Sequence, residues 1–359
     1  MSDKQYAYCT LITRASYLAG VIILAHTLRK RGSKHPLIVL YTPSLSADAV
    51  RALELEASRS NLLLHRTDIL LPRKDLKLLL IAERFADTWT KLRVFQLHEA
   101  FPQFDTICYL DADMTVRKPI DQIFTDHPLP GPDWIASNHV CVCNLDGDSW
   151  APADWTKENC AYTPLSHPSA LTHPTTSSSS SIPTHQLLNG GMFLFRPSPK
   201  LWADMLDFFN TTPLLSDMMF PDQDFLAEFF RDRWLPMGWQ YNALKTMRYW
   251  HENIWRDDEV VVLHYIVDKP WAKRNTPEGK GGYLGNDGET HSWWWADYEE
   301  WVRSRGDGSE VVRLLSPLVN GGADKQKGGA QANGAGRCAD EAAEEAKVGG
   351  AGDARPLGI

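Results

Sequence analysis

Tyr109-Leu-Asp-Ala-Asp113 places two carboxylates one residue apart, at the end of the apolar run Thr106 to Leu110. That run reads as a buried strand of an α/β sheet, and such sheets bind ligands just beyond the carboxyl ends of their strands. Asp111 and Asp113 would then face a crevice. Two hard oxygen ligands there suit Mg²⁺ or Mn²⁺ held against a diphosphate. The spacing alone is a weak signal, because chance gives about two Asp-x-Asp triplets in a chain of this length. Three occur, at Asp111/Asp113, Asp146/Asp148 and Asp222/Asp224, and only the first follows a strand-like run. On its own it also fits a solvated turn with an Asx cap.

Four other segments carry chemistry-bearing residues. In Leu187-Leu-Asn-Gly-Gly-Met-Phe-Leu-Phe-Arg-Pro197, two glycines after Asn189 let the backbone approach a ligand closely. The blander account is a plain turn before a strand. Phe220-Pro-Asp-Gln-Asp-Phe225 opens an amphipathic helix. It is either an acidic helix N-terminus or a catalytic carboxylate, Asp222, beside an amide, Gln223, that orients a sugar. In Val261-Val-Leu-His-Tyr-Ile-Val-Asp-Lys-Pro-Trp271, His264 ends an apolar strand. Alone it is a core histidine; beside two aspartates it completes an O,O,N set suited to Mn²⁺. Lys269 follows five residues later and offers a counter-charge to phosphate. Leu11-Ile-Thr-Arg-Ala-Ser-Tyr17 offers hydroxyls and a ring to cradle a base, or else helix caps at Thr13 or Ser16.

These groups need a scaffold. Strands are expected at Tyr6 to Thr13, Leu37 to Tyr41, Thr106 to Leu110 and Val260 to Ile266. Helices are expected at Ser16 to Arg31, Ser46 to Ser58, Thr90 to Ala100, Lys200 to Phe209 and Phe220 to Phe230, with Gly32 as a C-cap and Ser46 as an N-cap. The alternation implies parallel βαβ units and a doubly wound sheet. No G-x-G-x-x-G follows the first strand and no G-x-x-x-x-G-K-[ST] occurs, so neither a dinucleotide fingerprint nor a P-loop is supported. Residues 127–185 are rich in Pro, Ser, Thr and His and read as a long surface insertion, partly disordered. The Gly/Ala-rich tail, 320–359, reads as disordered. That leaves one folded domain over 5–317.

A net charge of −8 without a basic patch argues against nucleic acid as a partner. Six cysteines are scattered without regular spacing, and Cys141-Val-Cys143 lacks the two-residue gap and second pair of a zinc motif. The cysteine usage points to a reducing, cytoplasmic compartment. No secretory signal is expected, since Tyr6 to Ile12 already reads as a strand. Tyr17 to Leu28 contains His26 and is too short to span a bilayer, so no membrane partner is expected. The fourteen tryptophans are mostly expected in packing; Trp271 and Trp293 to Trp295 are the ones that could meet a sugar.

Tyr-Leu-Asp-Ala-Asp at 109–113, Asn-Gly-Gly-Met-Phe at 189–193, Asp-Gln-Asp-Phe-Leu at 222–226 and His-Tyr…Lys-Pro-Trp at 264–271 together resemble glycosyltransferase family 8. These are the retaining nucleotide-sugar transferases that include glycogenin and galactinol synthase. Lys91-Leu-Arg-Val-Phe, Tyr241-Asn and Trp293-Trp-Trp295 look closest to the galactinol synthase branch. The resemblance implies an α/β GT-A fold, a Rossmann-like, mostly parallel sheet flanked by helices in a single domain. It implies Mn²⁺ (or Mg²⁺) and a UDP-sugar donor, a hydroxyl acceptor (polyol, glycan, protein or metabolite), and it allows a homodimer. By position, Asp111, Asp113 and His264 would hold the metal, with Ala112 between them at the nucleotide. Leu11, Thr13 and Tyr17 would line the uridine pocket. Lys269 and Lys91 would meet phosphates, and Arg84 a phosphate or the sugar. Asn189, Asp222 and Gln223 would surround the donor sugar. The chain departs from glycogenin in carrying Ile266-Val-Asp268 between the histidine and the lysine, where a glycine is expected. Two other classes compete. A sugar-1-phosphate nucleotidyltransferase would want a Gly-rich basic loop after the first strand, and Leu11 to Tyr17 has no glycine. A catalytically silent UDP-sugar-binding protein would not need every motif position to be chemically competent.

Overall fold

The structure is a computed structural model that describes residues 4–73 and 83–320, without the side chains of 83–87. The tail expected to be disordered, 320–359, lies outside the described residues beyond Asn320.

The N-terminal half is built from β1 (Tyr6–Ile12), α1 (Leu18–Lys30), β2 (Leu37–Tyr41), α2 (Ala47–Ser60) and β3 (Leu62–Arg66). Next come α3 (Leu97–Ala100), β4 (Thr106–Leu110), β5 (Met114–Val116) and α4 (Ile123–Asp126). β6 (Ile135–His139), β7 (Leu188–Phe195), α5 (Pro199–Thr211), α6 (Pro221–Phe229) and β8 (Trp234–Pro236) follow. The chain then runs through β9 (Ala243–Leu244), α7 (Met247–Trp250) and β10 (Val262–His264) to α8 (Gly288–Arg305) and α9 (Glu310–Leu315).

Seven strands form the main sheet in the order β3-β2-β1-β4-β7-β6-β8. β3, β2, β1 and β4 are parallel, and β7 runs antiparallel between β4 and β6. A small sheet, β5-β10-β9, stands beside it. One apolar layer packs α1, α2, α8 and α9 against one face of the main sheet. The other places Trp89, Phe95, Trp202, Phe209 and Phe225 against the opposite face. Such two-sided cover makes strands read as unbroken apolar runs, which is why β1, β2 and β4 were visible in the sequence.

Local chemistry sets the element ends. The Ser46 hydroxyl accepts from the Ala49 N–H at 3.3 Å and caps α2. α1 ends at Arg31–Gly32, where Gly32 takes φ +80°, a left-handed turn that glycine enters without strain.

The structure corrects two expected elements. Thr90 to Ala100 is not one α-helix: a 3₁₀ stretch, Glu83–Gln96, leads into α3. Three residues per turn put Trp89, Leu92 and Phe95 on one face, and all three are buried. The expected surface insertion 127–185 contains β6, an interior strand paired with both β7 and β8. Its Ser137, Asn138 and His139 are polar, which hid the strand. Each makes hydrogen bonds inside the core: Ser137 Oγ donates to the Asn189 and Met192 carbonyls, and Asn138 Nδ2 to those of Met237 and Gly238. His139 Nε2 donates to the Thr175 carbonyl at 2.7 Å.

Candidate active site

The Asp-Ala-Asp turn joins the two sheets, because Asp111 follows β4 and Asp113 precedes β5. β10 pairs antiparallel with β5 and sets His264 opposite Met114, so the histidine stands beside Asp113. His264 Nε2 lies 3.3 Å from Asp113 Oδ1 and 3.9 Å from Asp111 Oδ2. One ligand atom from each of the three residues falls within 4.8 Å of the others.

The histidine's tautomer follows from its neighbours. His264 Nδ1 is 2.9 Å from Asn242 Oδ1, and Asn242 Nδ2 donates to Asn189 Oδ1 at 2.8 Å. The same Asn189 oxygen accepts from the Gly191 N–H at 2.9 Å. With Asn242 oriented by its amide donor, its oxygen accepts the Nδ1 proton, and Nε2 is left as the nitrogen that faces the two aspartates. Asn242 was seen in the sequence only as part of the Tyr241-Asn block. Its role depends on β9 lying beside β10, a pairing that no local pattern reveals.

β7 bulges at Asn189-Gly-Gly-Met. Ser137 pairs with Phe193 and Asn138 with Asn189, so the residues between are pushed out of the ladder. The Gly191 carbonyl accepts from the Asp111 N–H at 2.8 Å, which ties the bulge to the turn. A Cβ on Gly191 would fall 2.5 Å from the His264 ring. A Cβ on Gly20 of α1 would fall 2.1 Å from the Ala112 carbonyl oxygen. Glycine is needed at both places because backbone or ring approaches so closely.

Two lysines neutralise the carboxylates. Lys91 is ion-paired with Asp222, lies 3.0 Å from Asp111 Oδ1 and donates to the Gly190 carbonyl. Burial works against its charge, but the two carboxylates outweigh burial and hold the ammonium above the usual lysine range. Lys269 pairs with Asp113, donates to the Tyr265 carbonyl and sits 5.8 Å from the centre of the Tyr17 ring. The segment Ile266-Val-Asp268 therefore does not prevent the lysine from reaching the turn. Val267 bends there with φ +63°, a conformation glycine adopts more easily. Asp113 is raised by burial, yet Lys269 and His264 dominate and hold its carboxyl well below the usual range. Asp111 moves the other way, raised by burial against the opposing pull of Lys91. Two aspartates one residue apart thus differ in proton affinity because only one has Lys269.

Of the residues picked from sequence, Asp111, Ala112, Asp113, Lys91, Asn189, Asp222, His264 and Lys269 converge around this turn. Gln223 joins them, with Oε1 3.4 Å from the Gly190 N–H. Leu11 and Thr13 stand at the end of β1, two and four residues past the Cys9–Tyr109 pair that sets β1 beside β4. Tyr17 lies 5.9 Å from Trp271, whose Nε1 donates to the Ser16 carbonyl. Trp271, Trp294 and Trp295 are buried, so they are packing residues. Arg84's side chain lies outside the described residues. A second acidic group, Asp268, Asp287 and His291, already encloses an ammonium: Lys245 Nζ is 2.9 and 2.8 Å from the two carboxylates. Among the described residues, no helix is long and apolar enough to cross a membrane.

Known proteins resemble the chain in sequence and in fold. The chain is 27% identical to galactinol synthase 1 of Solanum lycopersicum over 272 residues, 74% of this chain and 73% of that one. It is 27% identical to galactinol synthase 6 of Arabidopsis thaliana over 323 residues, 87% and 86% of the two chains. Among solved structures it is similar to the galactosyltransferase LgtC in complex with donor and acceptor sugar analogs. That likeness has a TM-score of 0.51 at 15% identity and covers 83% of this chain and 99% of that one. The bifunctional glycosyltransferase WbbM, at 14% identity and TM-score 0.51, covers 83% of this chain and 52% of its own. Such structural likeness supports the GT-A fold, and the sequence model described as Glycosyl transferase family 8 matches residues 8–275. The chain therefore belongs to glycosyl transferase family 8.

Proposed function

We propose that the protein transfers a hexose from a UDP-sugar to a hydroxyl acceptor with retention at the anomeric carbon, dependent on Mn²⁺. The observation that carries this reading is the convergence of Asp111, Asp113 and His264 within 4.8 Å, with His264 Nδ1 held 2.9 Å from Asn242 Oδ1 so that Nε2 faces the aspartates. This O,O,N donor set fits a hard to borderline divalent cation. Asp111, Asp113 and His264 would hold it, and the bound ion supplies Lewis-acid neutralisation of the diphosphate oxygens.

The chain's own groups do the rest. Lys269 exchanges its contact with Asp113 for a phosphate oxygen and stabilises charge on the leaving UDP, an electrostatic contribution among the largest open to an enzyme. Lys91 keeps Asp111 and Asp222 from repelling one another. Asp222 serves the oxocarbenium-like anomeric carbon, as nucleophile or as the counter-charge during attack from the leaving-group face. Gln223 and the Gly190 N–H orient the sugar hydroxyls. Leu11, Thr13 and Tyr17 hold the uridine. The relatives named above are galactinol synthases, so galactinol formation is the first acceptor reaction to assay.

The test is UDP release from a panel of UDP-sugars, with and without Mn²⁺. Wild-type protein should release UDP from one sugar in a Mn²⁺-dependent manner. Asp113→Asn should lower that rate at least about 100-fold, in the range of losing one electrostatic stabiliser. An Asp113→Asn rate near wild type sinks the assignment.

A further inference from the structure

A second cluster of ligand-type side chains lies away from this site. Cys141 and Cys143 follow β6, Cys160 lies on the long return to β7, and His251 follows α7. The pair Cys141-Val-Cys143 looks incomplete in the sequence because its partners are 17 or more positions away; folding supplies them. His251 Nε2 lies 3.3 Å from Cys141 Sγ, 3.2 Å from Cys143 Sγ and 3.6 Å from Cys160 Sγ. Cys160 Sγ is 3.9 Å from Cys141 Sγ, and all four ligand atoms fall within 4.8 Å of one another.

These lengths match the edges of a zinc tetrahedron. Zn–S bonds of about 2.3 Å and Zn–N bonds of about 2.0 Å give edges of about 3.8 Å between sulfurs and about 3.5 Å from sulfur to nitrogen. A disulfide needs sulfurs about 2.05 Å apart, and these thiols are free. Packing as small apolar residues accounts for one buried thiol, as at Cys9 or Cys108. It does not account for three thiols turned toward one imidazole nitrogen, with Cys160 and His251 fully buried. His251 Nδ1 has no hydrogen-bond partner, so the ring's polar contacts all pass through Nε2.

We propose that Cys141, Cys143, Cys160 and His251 bind one structural zinc ion that clamps the segment 141–160 to the turn after α7. Four protein ligands close the site, as in structural rather than catalytic zinc centres. The sulfur-rich set selects zinc, whereas the O,O,N set at the Asp-Ala-Asp turn does not, so the two sites take different ions. The clamp has a mechanical role. Residues 140–187 contain little regular structure apart from two short 3₁₀ turns. They are held to residues 237–255 by contacts such as Asn253 Nδ2 with the Tyr162 and Leu165 carbonyls. Asn242 belongs to that second stretch, so the ion steadies the support beneath His264.

The experiment is metal analysis of the full chain, purified without chelator from zinc-supplemented cells. About one zinc per chain is expected in wild type and in Asp113→Asn, and near none in Cys160→Ser or His251→Gln. Because a variant that loses the ion can misfold, cobalt(II) is also added to the chelator-stripped wild-type protein. It should give tetrahedral visible bands and a thiolate-to-cobalt charge-transfer band, and zinc should erase both. Folded wild-type protein without zinc and without that charge-transfer band overturns the proposal. So does a Cys141–Cys160 disulfide seen as a mass two hydrogens lower, or zinc lost in Asp113→Asn but kept in Cys160→Ser.

Discussion

Asn242 decides which nitrogen of His264 is available, although Asn242 itself touches no carboxylate of the turn. Its oxygen holds Nδ1 at 2.9 Å while its amide is held by Asn189. Such outer partners of a metal-ligating histidine change metal affinity by about 10–100-fold when removed. Asn242→Ala should therefore weaken Mn²⁺ binding by about that factor, read as a shifted Mn²⁺ dependence of UDP release, with the far-ultraviolet spectrum unchanged. An unaltered Mn²⁺ dependence would show that the tautomer is set elsewhere. The chemistry of single residues was largely legible in the sequence. Asp111, Asp113, His264 and Asp222 stood out because their motifs stand at element ends. Asn242 did not, because an amide immediately before a two-residue strand has no pattern of its own. Asn189 was read as a sugar contact; the geometry adds that its side chain supports Asn242.

Elements bring their own constraints, and α6 shows one of them. Pro221 sits in the first turn, and Asp224 Oδ2 accepts the Phe220 N–H at 2.9 Å. Burial, opposed by that hydrogen bond and reinforced by nearby Asp222, pushes the Asp224 carboxyl up to about 6. The folded state thus binds a proton more tightly than the unfolded chain, where the value is 3.8. The stabilisation that protonation brings is full below that lower value and is lost as pH rises through about 6. At neutral pH the charged group costs about 1 to 2 kcal/mol, after allowance for solvent at a partly exposed site. Asp224→Asn keeps the acceptor and removes the charge. Urea unfolding should show the variant more stable than wild type at pH 7.5 and the difference closing as pH falls to 4. A constant difference across that range would contradict the assignment. The elements themselves were legible where one physical factor dominated. β1, β2, β4, α2 and α5 have apolar runs or caps that stand out. The 3₁₀ stretch before α3 and the polar strand β6 were misread because tertiary contacts overrode local pattern, with Lys91 drawn to the carboxylates and Ser137 to the β7 bulge.

At the scale of the whole molecule, the C-terminal helices clamp the half that carries β1, α1 and α2. α8 was not legible as a helix. Its buried residues, Gly288, Thr290, His291, Trp294, Trp295, Asp297, Tyr298 and Trp301, share one face, but Thr290, His291 and Asp297 are polar, so no continuous apolar stripe shows in the sequence. Two kinds of contact hold it. Asp297 is buried and joins Lys30 of α1 at 2.8 Å and Arg117 beside β5 at 3.0 Å. Glu56 of α2 is fully buried and ion-paired with Arg305 at the end of α8. It also accepts from Trp301 Nε1 at 3.2 Å and Ser60 Oγ at 2.6 Å. Removing one partner of a buried pair leaves the other charge unsatisfied and costs about 3–5 kcal/mol. The same helix α2 also reaches α9 through Arg51 and Glu310, 3.0 Å apart but exposed, a contact worth about 0–1 kcal/mol. The two pairs join neighbouring parts of the same interface and differ mainly in burial. Glu56→Ala should therefore lower the free energy of unfolding by about 3 kcal/mol or more, and Arg51→Ala by less than about 1 kcal/mol. Both are read from urea unfolding at pH 7.5. Equal losses in the two variants would mean that solvent reaches Glu56, and that α8 docks through its tryptophans rather than through this charge.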